Sequence, residues 1–285
     1  MLRITTLSEN AAVPGMQGNF LAEWGLSILV QTDEVNILFD TGPSISACHN
    51  ADSLGIDLTK IDKIVLSHSH SDHTGGLWEV LRRVRKSEIE VIAHPYVWSL
   101  RYTRRPGRPD RFSGIPFQRP ELEDLGARFN LTTKPTKITE NIMTTGEVPM
   151  VTDFEKVEPP GDSTRLIQED TGFKPDEILD DQGIVINTEQ GLVVITGCAH
   201  RGIINTLYHA QQITGVKIIH TVIGGSHLVG ASEERISRTV DALRELNVQK
   251  LGLCHCTGLP AITQIAHELG DKFFFNNAGT RIDLP

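Results

Sequence analysis

Four side chains capable of binding a cation fall within six positions of one another: His68, His70, Asp72 and His73, in the run Leu66-Ser67-His68-Ser69-His70-Ser71-Asp72-His73-Thr74-Gly75-Gly76. Imidazole and carboxylate are ligands for divalent ions such as zinc, and a solvated polar loop rarely gathers histidine this densely. His68 and His70, two apart in extended backbone, point to the same side and can bind one ion. Asp72 and His73 sit past the bend, where they can face a second ion close by. Such ions make water a nucleophile near neutral pH and polarise a phosphoryl or carbonyl oxygen. Asp72 would ligate, orient the nucleophile and accept a proton.

These side chains must be positioned by the elements around them. Val65 and Leu66 close a short apolar run that reads as a buried strand, and Gly75-Gly76 opens an amphipathic segment. Leu77, Val80, Leu81 and Val84 recur there at helical spacing, with Arg82, Arg83, Arg85 and Lys86 off the stripe on a solvated face. Upstream, residues 2–7, 25–31 and 35–40 read as strands of an antiparallel meander, with a loop at Gly15 to Gly18 and a helix over 44–54. The turn Asp40-Thr41-Gly42-Pro43 either aims Asp40 above the sheet edge or uses it as a local cap. Ile89 to Ala93 is a further strand, ending at His94.

The second half has its own rhythm. Residues 183–188 and 192–196 form a hairpin about Glu189-Gln190-Gly191, followed by a helix through Ile203, Ile204, Leu207 and Ala210. A strand over 216–223, a helix from Ser232 to about Leu246, a strand over 250–253, a helix over 257–269 and a last strand over 272–275 complete the chain. His200, His227 and His255 each stand just past a strand, as His68 does. Ions held by the upstream cluster need further ligands, and strand ends meeting at one rim are where sites are built. His200 and His255 are therefore the residues expected to complete two metal positions, with His94 and Cys198 behind them. His227 is expected to hydrogen-bond the substrate or support a ligand. Strands paired antiparallel, then strand–helix units, in each half predict an α+β fold, an αββα four-layer sandwich.

Residues 96–180 break the pattern and are expected to form an insertion or subdomain within a single domain spanning 1–285. Arg101, Arg104, Arg105, Arg108 and Arg111 crowd a stretch of 11 residues with Pro106, Gly107 and Pro109. This basic loop is either a clamp for an anionic, phosphorylated substrate, with Arg104 and Arg105 as contacts, or an exposed interface loop. Residues 121–126 read as a short helix, 138–143 and 148–154 as strands, and Pro159 to Pro175 as a loop-rich excursion.

With 285 residues, 39% hydrophobic and 22% charged, the composition is that of a globular chain with ample core. A net charge of −9 argues against nucleic acid as partner. No apolar run reaches membrane-spanning length and Met1 leads straight into strand-like sequence, so the expectation is a cytoplasmic protein with neither signal peptide nor membrane partner. The four cysteines, Cys48, Cys198, Cys254 and Cys256, are too few for a disulfide framework, and the last two bracket His255 as at a metal or a buried turn. The expected partner is a small anionic substrate, with homo-oligomerisation left open.

The His-x-His-x-Asp-His form of residues 68–73, the strand before it, the Gly-Gly after it, Asp40-Thr41-Gly42 upstream and the late His255 together resemble the metallo-β-lactamase superfamily over nearly the whole chain. Its αββα sandwich agrees with the layers read above. Glu23-Trp24-Gly25-Leu26-Ser27, Thr196-Gly197-Cys198-Ala199-His200 and Gly224-Gly225-Ser226-His227-Leu228 are similar to the branch that includes a dihydropterin–ribofuranosyl-aminobenzene phosphate synthase of methanopterin biosynthesis. The resemblance implies that His68, His70 and His200 hold one metal, and Asp72, His73 and His255 the other. Where many members place an aspartate this chain has Cys198, whose thiolate can ligate zinc, so the roles of Cys198 and His200 stay open. The implied cofactor is zinc, one or two ions, with Mn2+, Fe2+ or Mg2+ as alternatives. The implied function is a metal-dependent hydrolase whose mono- or dinuclear site activates water on an anionic, phosphoester-type substrate. The alternatives are a transferase condensing a dihydropterin pyrophosphate with a ribofuranosyl-aminobenzene phosphate, and a non-hydrolytic metal-binding or redox member.

Overall fold

A computed structural model describes residues 1–14, 19–157 and 161–284, so the loop expected at Gly15 to Gly18 lies outside the described residues. The chain divides into two compact units, Met1–Trp98 with Gly114–Thr132 and Asn277–Pro285, and Ser99–Ser113 with Thr133–Asn276.

The first unit is built on a seven-stranded sheet in the order Arg281–Leu284, Leu2–Ser8, Ser27–Gln31, Asn36–Phe39, Lys63–Val65, Ile89–Ala93 and Ala127–Leu131. The meander is antiparallel, as expected, and the strands from Asn36–Phe39 onward pair in parallel. Helix Leu77–Val84 lays Leu77, Val80, Leu81 and Val84 into the core with Leu38, Ile64 and Val91. Its off-stripe arginines pair instead with acids, Arg82 with Glu79 and Arg83 with Asp52.

The second unit holds a five-stranded sheet ordered Lys250–Leu253, Ile219–Gly224, Gly191–Thr196, Gly183–Thr188 and Ile142–Thr144. The expected hairpin closes with Thr188 opposite Gly191, and the next two strands join in parallel through helices Ile203–Thr214 and Glu233–Glu245. A second sheet of four strands, Gly172–Pro175, Thr164–Glu169, Leu100–Arg104 and Arg111–Phe112, corrects the reading of Pro159 to Pro175 as loop. That stretch alternates poorly because both faces of Thr164–Glu169 carry polar residues, yet it pairs with Leu100–Arg104 from Thr164↔Arg104 to Gln168↔Leu100.

Two further strands were misplaced. Residues 148–154 form no strand, and only Ile142–Thr144 of the segment expected over 138–143 is extended in the sheet. The apolar run 272–275 makes only an isolated parallel bridge, Phe273 to Leu251, rather than a strand, and the Phe274 ring fills the space where a side chain on Gly252 would stand. The terminal strand is instead Arg281–Leu284, paired with Leu2–Ser8. Among the described residues no helix is long and apolar enough to cross a membrane.

Candidate metal centre

Two sets of ligand-type side chains stand at strand ends, one in each unit. In the first, the chain leaves the sheet at Ser67, straight after Lys63–Val65, and turns at His70 into the one-turn helix Ser71–Thr74. His68, His70 and His73 are all buried, and Asp72 is half-buried. Nε2 of His68 and Nδ1 of His70 lie 2.9 Å apart. Two nitrogens sharing a tetrahedral zinc at the usual bond lengths stand roughly 3.3 Å apart, so these rings aim at one point. A single proton fits between them, and it stands where a cation would displace it.

The tautomers follow from Asp40. Its carboxylate accepts from Ser67 N at 2.7 Å and Ser67 Oγ at 2.6 Å, and its Oδ2 is 2.7 Å from His73 Nδ1. The hydroxyl proton of Ser67 is thus committed, so Ser67 Oγ accepts from His68 Nδ1–H at 2.8 Å. Both rings carry their proton on Nδ1 and their lone pair on Nε2, the arrangement a carboxylate behind a ligating histidine imposes. Asp40 is therefore a buried orienting carboxylate rather than a local cap. It sits at φ 58°, a left-handed conformation costly for a non-glycine residue and kept where surrounding contacts demand it.

Three backbone segments are laced around this turn. Thr41 N and Oγ1 both donate to His73 O, at 2.8 and 2.9 Å, Leu26 N donates to Asp72 O, and Gly76 N to Gly42 O. The approach is close enough that a methyl on Gly25 would meet Asp72 O, one on Gly75 the carbonyl of Pro43, and one on Gly76 the carbonyl of Thr41. Gly76→Ala is expected to cost about 1–3 kcal/mol by overpacking against backbone. Thermal unfolding checks this: an unchanged midpoint would mean the segments separate freely.

In the second unit the parallel strands Gly191–Thr196, Ile219–Gly224 and Lys250–Leu253 all end on the same side, delivering Cys198 and His200, Ser226 and His227, and Cys254, His255 and Cys256. Carboxyl ends of adjacent parallel strands are where such sheets build sites. Ala199, His227 and His255 take left-handed backbone at φ 49°, 45° and 53°. Donor atoms of Cys198, His255 and Cys256 lie within 4.8 Å of one another, all three residues buried. The rings of His200 and His227 are 4.3 Å apart. Arg165, on strand Thr164–Glu169, reaches both, with Nη1 3.1 Å from His200 Nδ1 and Nη2 2.8 Å from His227 Nε2.

The arginines of the basic loop divide between the interior and the surface. Arg101 is buried in the core, with Nε 3.1 Å from Asp176 and Nη2 2.7 Å from Asp180, and cannot contact a solute. Burial pushes the Asp176 carboxyl up, against the pull of Arg101, with Asp180 adding to the rise. Arg104 is taken up by Asp110 and stands over the ring of Phe173, and Arg105 is exposed. His94 accepts from Tyr96 N within the first unit. Sequence inspection missed Arg165, which falls in the stretch read as loop, and Ser67, which looks like any serine of a Ser-His-Ser-His run.

The sequence profile of the metallo-beta-lactamase superfamily matches residues 25–255. The chain is similar to the 7,8-dihydropterin-6-methyl-4-(beta-D-ribofuranosyl)-aminobenzene-5'-phosphate synthase of Methanocaldococcus jannaschii, with 33% identity over 285 residues, 98% of this chain and 95% of that protein. An uncharacterized protein of the same organism is 29% identical over 265 residues, 93% of this chain and 95% of that one. A solved metal-dependent hydrolase of the beta-lactamase superfamily superposes with a TM-score of 0.82 at 30% identity, covering 100% of this chain and 99% of that one. The α+β fold expected from the sequence is that of this solved structure.

Proposed function

The chain belongs to the metallo-β-lactamase superfamily, and on that premise we propose that it is a metal-dependent hydrolase acting on a small anionic, phosphoester-type substrate. The observation that carries this reading is the first histidine set, where Asp40 and Ser67 hold His68 and His73 in the ligating tautomer and His68 Nε2 meets His70 Nδ1. We assign His68, His70 and His200 to one ion and Asp72, His73 and His255 to a second, with Cys198 as a further donor. Nitrogen and sulfur donors of this kind favour zinc over Mn2+, Fe2+ or Mg2+.

Ions held there supply Lewis acidity and lower the pKa of water toward neutrality. The protein's own part is orientation and proton transfer. Asp40 and Ser67 keep the ligand rings from rotating. Asp72, in the first turn after His70, takes the proton of the attacking water and delivers it to the leaving oxygen. His227 faces the substrate together with Arg165. The net charge of −9 supports a small substrate rather than a nucleic acid.

The synthase likeness over 98% of the chain favours a second reading, in which a carbon nucleophile replaces water and pyrophosphate leaves a dihydropterin. The same ligands serve both. Zinc-loaded protein is expected to release phosphate from a phosphoester panel with water alone. Pyrophosphate release that requires a ribofuranosyl-aminobenzene phosphate acceptor would establish the transferase instead. In either case Asp72→Asn is expected to lower kcat by about 10²–10⁴-fold, and a variant with wild-type kcat would remove Asp72 from the proton path.

A further inference from the structure

We infer that Cys198, His255 and Cys256 form a sulfur-rich cation site for a soft divalent ion such as zinc or cadmium, complete within the second unit. The inference deepens the assignment of the second ion made above, which uses His255 and gives Cys198 as a further donor, and it adds Cys256 as a ligand. All three residues lie within Thr133–Asn276 and are buried, and their donor atoms stand within 4.8 Å of one another. Two sulfurs on one tetrahedral zinc at ordinary bond lengths are roughly 3.8 Å apart, so an inward shift of about 1 Å at most closes the set. A fourth position stays open for water or a substrate atom.

The backbone brings the two cysteine segments together. Gly225 N donates to Gly197 O at 2.9 Å, Val229 N to Cys256 O at 3.1 Å, and Ser226 N to Thr257 Oγ1 at 3.2 Å, so the loop after Ile219–Gly224 is tied to both. A methyl on Gly225 would stand 2.6 Å from Cys256 Sγ and 3.2 Å from Cys198 Cα. Gly225 is not in left-handed backbone, so it is this close approach that requires glycine there. Cys256 Sγ is 3.5 Å from Cys198 O and thus already faces the Cys198 segment. Cys254, two positions earlier, instead has its sulfur 3.4 Å from Asn276 Nδ2 and joins none of the donor groups among the described residues.

The donor set decides which ion is held. Each thiol passes its proton to solvent as its metal–sulfur bond forms, and two thiolates then neutralise a dication. A buried place can hold such a neutral cluster without the cost of an unpaired charge. His255 belongs both to this set and to the one assigned with Asp72 and His73, and the softness of the ion chooses between them. Thiolate selects zinc, whereas carboxylate suits magnesium and manganese.

The test is titration of cobalt(II), and separately of cadmium, into reduced wild-type protein, Cys256→Ser and Cys254→Ser. Cobalt-loaded wild type is expected to show sulfur-to-cobalt charge-transfer absorption in the near ultraviolet. Cys256→Ser is expected to lose about half of that absorption, one of two sulfurs, and Cys254→Ser to keep it. Cadmium NMR of wild-type protein needs no variant that must fold: the resonance moves downfield with each sulfur bound, and a two-sulfur position is expected. Undiminished absorption in Cys256→Ser, or a cadmium resonance of a one-sulfur site in wild type, would overturn the site and leave the histidine ligands standing. Cobalt bound with no charge-transfer band would do the same. A wild-type protein that binds neither ion would overturn this site and the metal assignment above together.

Discussion

Asp40→Asn is expected to weaken zinc binding by about 10–100-fold while leaving the chain folded. Asparagine is close in size to aspartate, so its carbonyl oxygen can still accept from Ser67 N, the bond now made at 2.7 Å. Its amide group then faces Ser67 Oγ and His73 Nδ1, both of which donate to Asp40 Oδ2 in the native protein. A donor opposite His73 Nδ1 favours the tautomer with its proton on Nε2, and the ligating lone pair is lost. The same substitution frees the Ser67 hydroxyl proton to donate to His68 Nδ1, which spoils the second ring in the same way. Zinc affinity measured by competition with a chromophoric chelator, beside a circular dichroism spectrum, separates this effect from unfolding. Wild-type affinity in Asp40→Asn would show that the hydrogen-bonded chain behind the rings does not set their tautomers.

The second large effect concerns stability rather than chemistry. Arg101→Leu leaves Asp176 and Asp180 buried without their cation, since all three side chains are about 1% exposed. Breaking a buried pair from one side costs about 3–5 kcal/mol, because the carboxylates stay buried without the guanidinium that offset their desolvation. For a chain of this size that corresponds to a melting temperature lower by roughly 6–20 °C. Arg104→Ala, three residues on and paired with Asp110 at the surface, is expected to leave the melting temperature where it is. Equal shifts for the two variants would contradict the division of this strand into a buried and an exposed face.

That pair of arginines also shows why part of the site was legible in the sequence and part was not. The period of a strand is two, so Arg101 and Arg104 on Leu100–Arg104 point to opposite faces, one into the acid cluster and one toward Phe173. An arginine on both faces erases the alternation that would have revealed this. The cluster His68-x-His70-x-Asp72-His73 was readable because its ligands are local and their spacing matches a strand end turning into a helix. The helix Leu77–Val84 was readable for the same reason, through its stripe of apolar residues. Asp40 depends instead on register: Phe39 pairs with Val65, which brings Asp40 beside a serine 27 positions away. Arg165 reaches His200 and His227 across 35 and 62 positions, from a strand whose polar faces gave no periodic signal.

The central claim is that the histidine sets at 68–73 and 200–255 are metal ligands, and metal content tests it most directly. Purified wild-type protein, His70→Ala and His255→Ala should be dialysed against zinc, freed of unbound ion and analysed by plasma mass spectrometry, with folding checked in parallel. Wild-type protein is expected to retain zinc, and each variant to retain less of it while remaining folded. If both variants keep as much zinc as wild type, these histidines are not its ligands and the metal chemistry proposed for the chain is wrong.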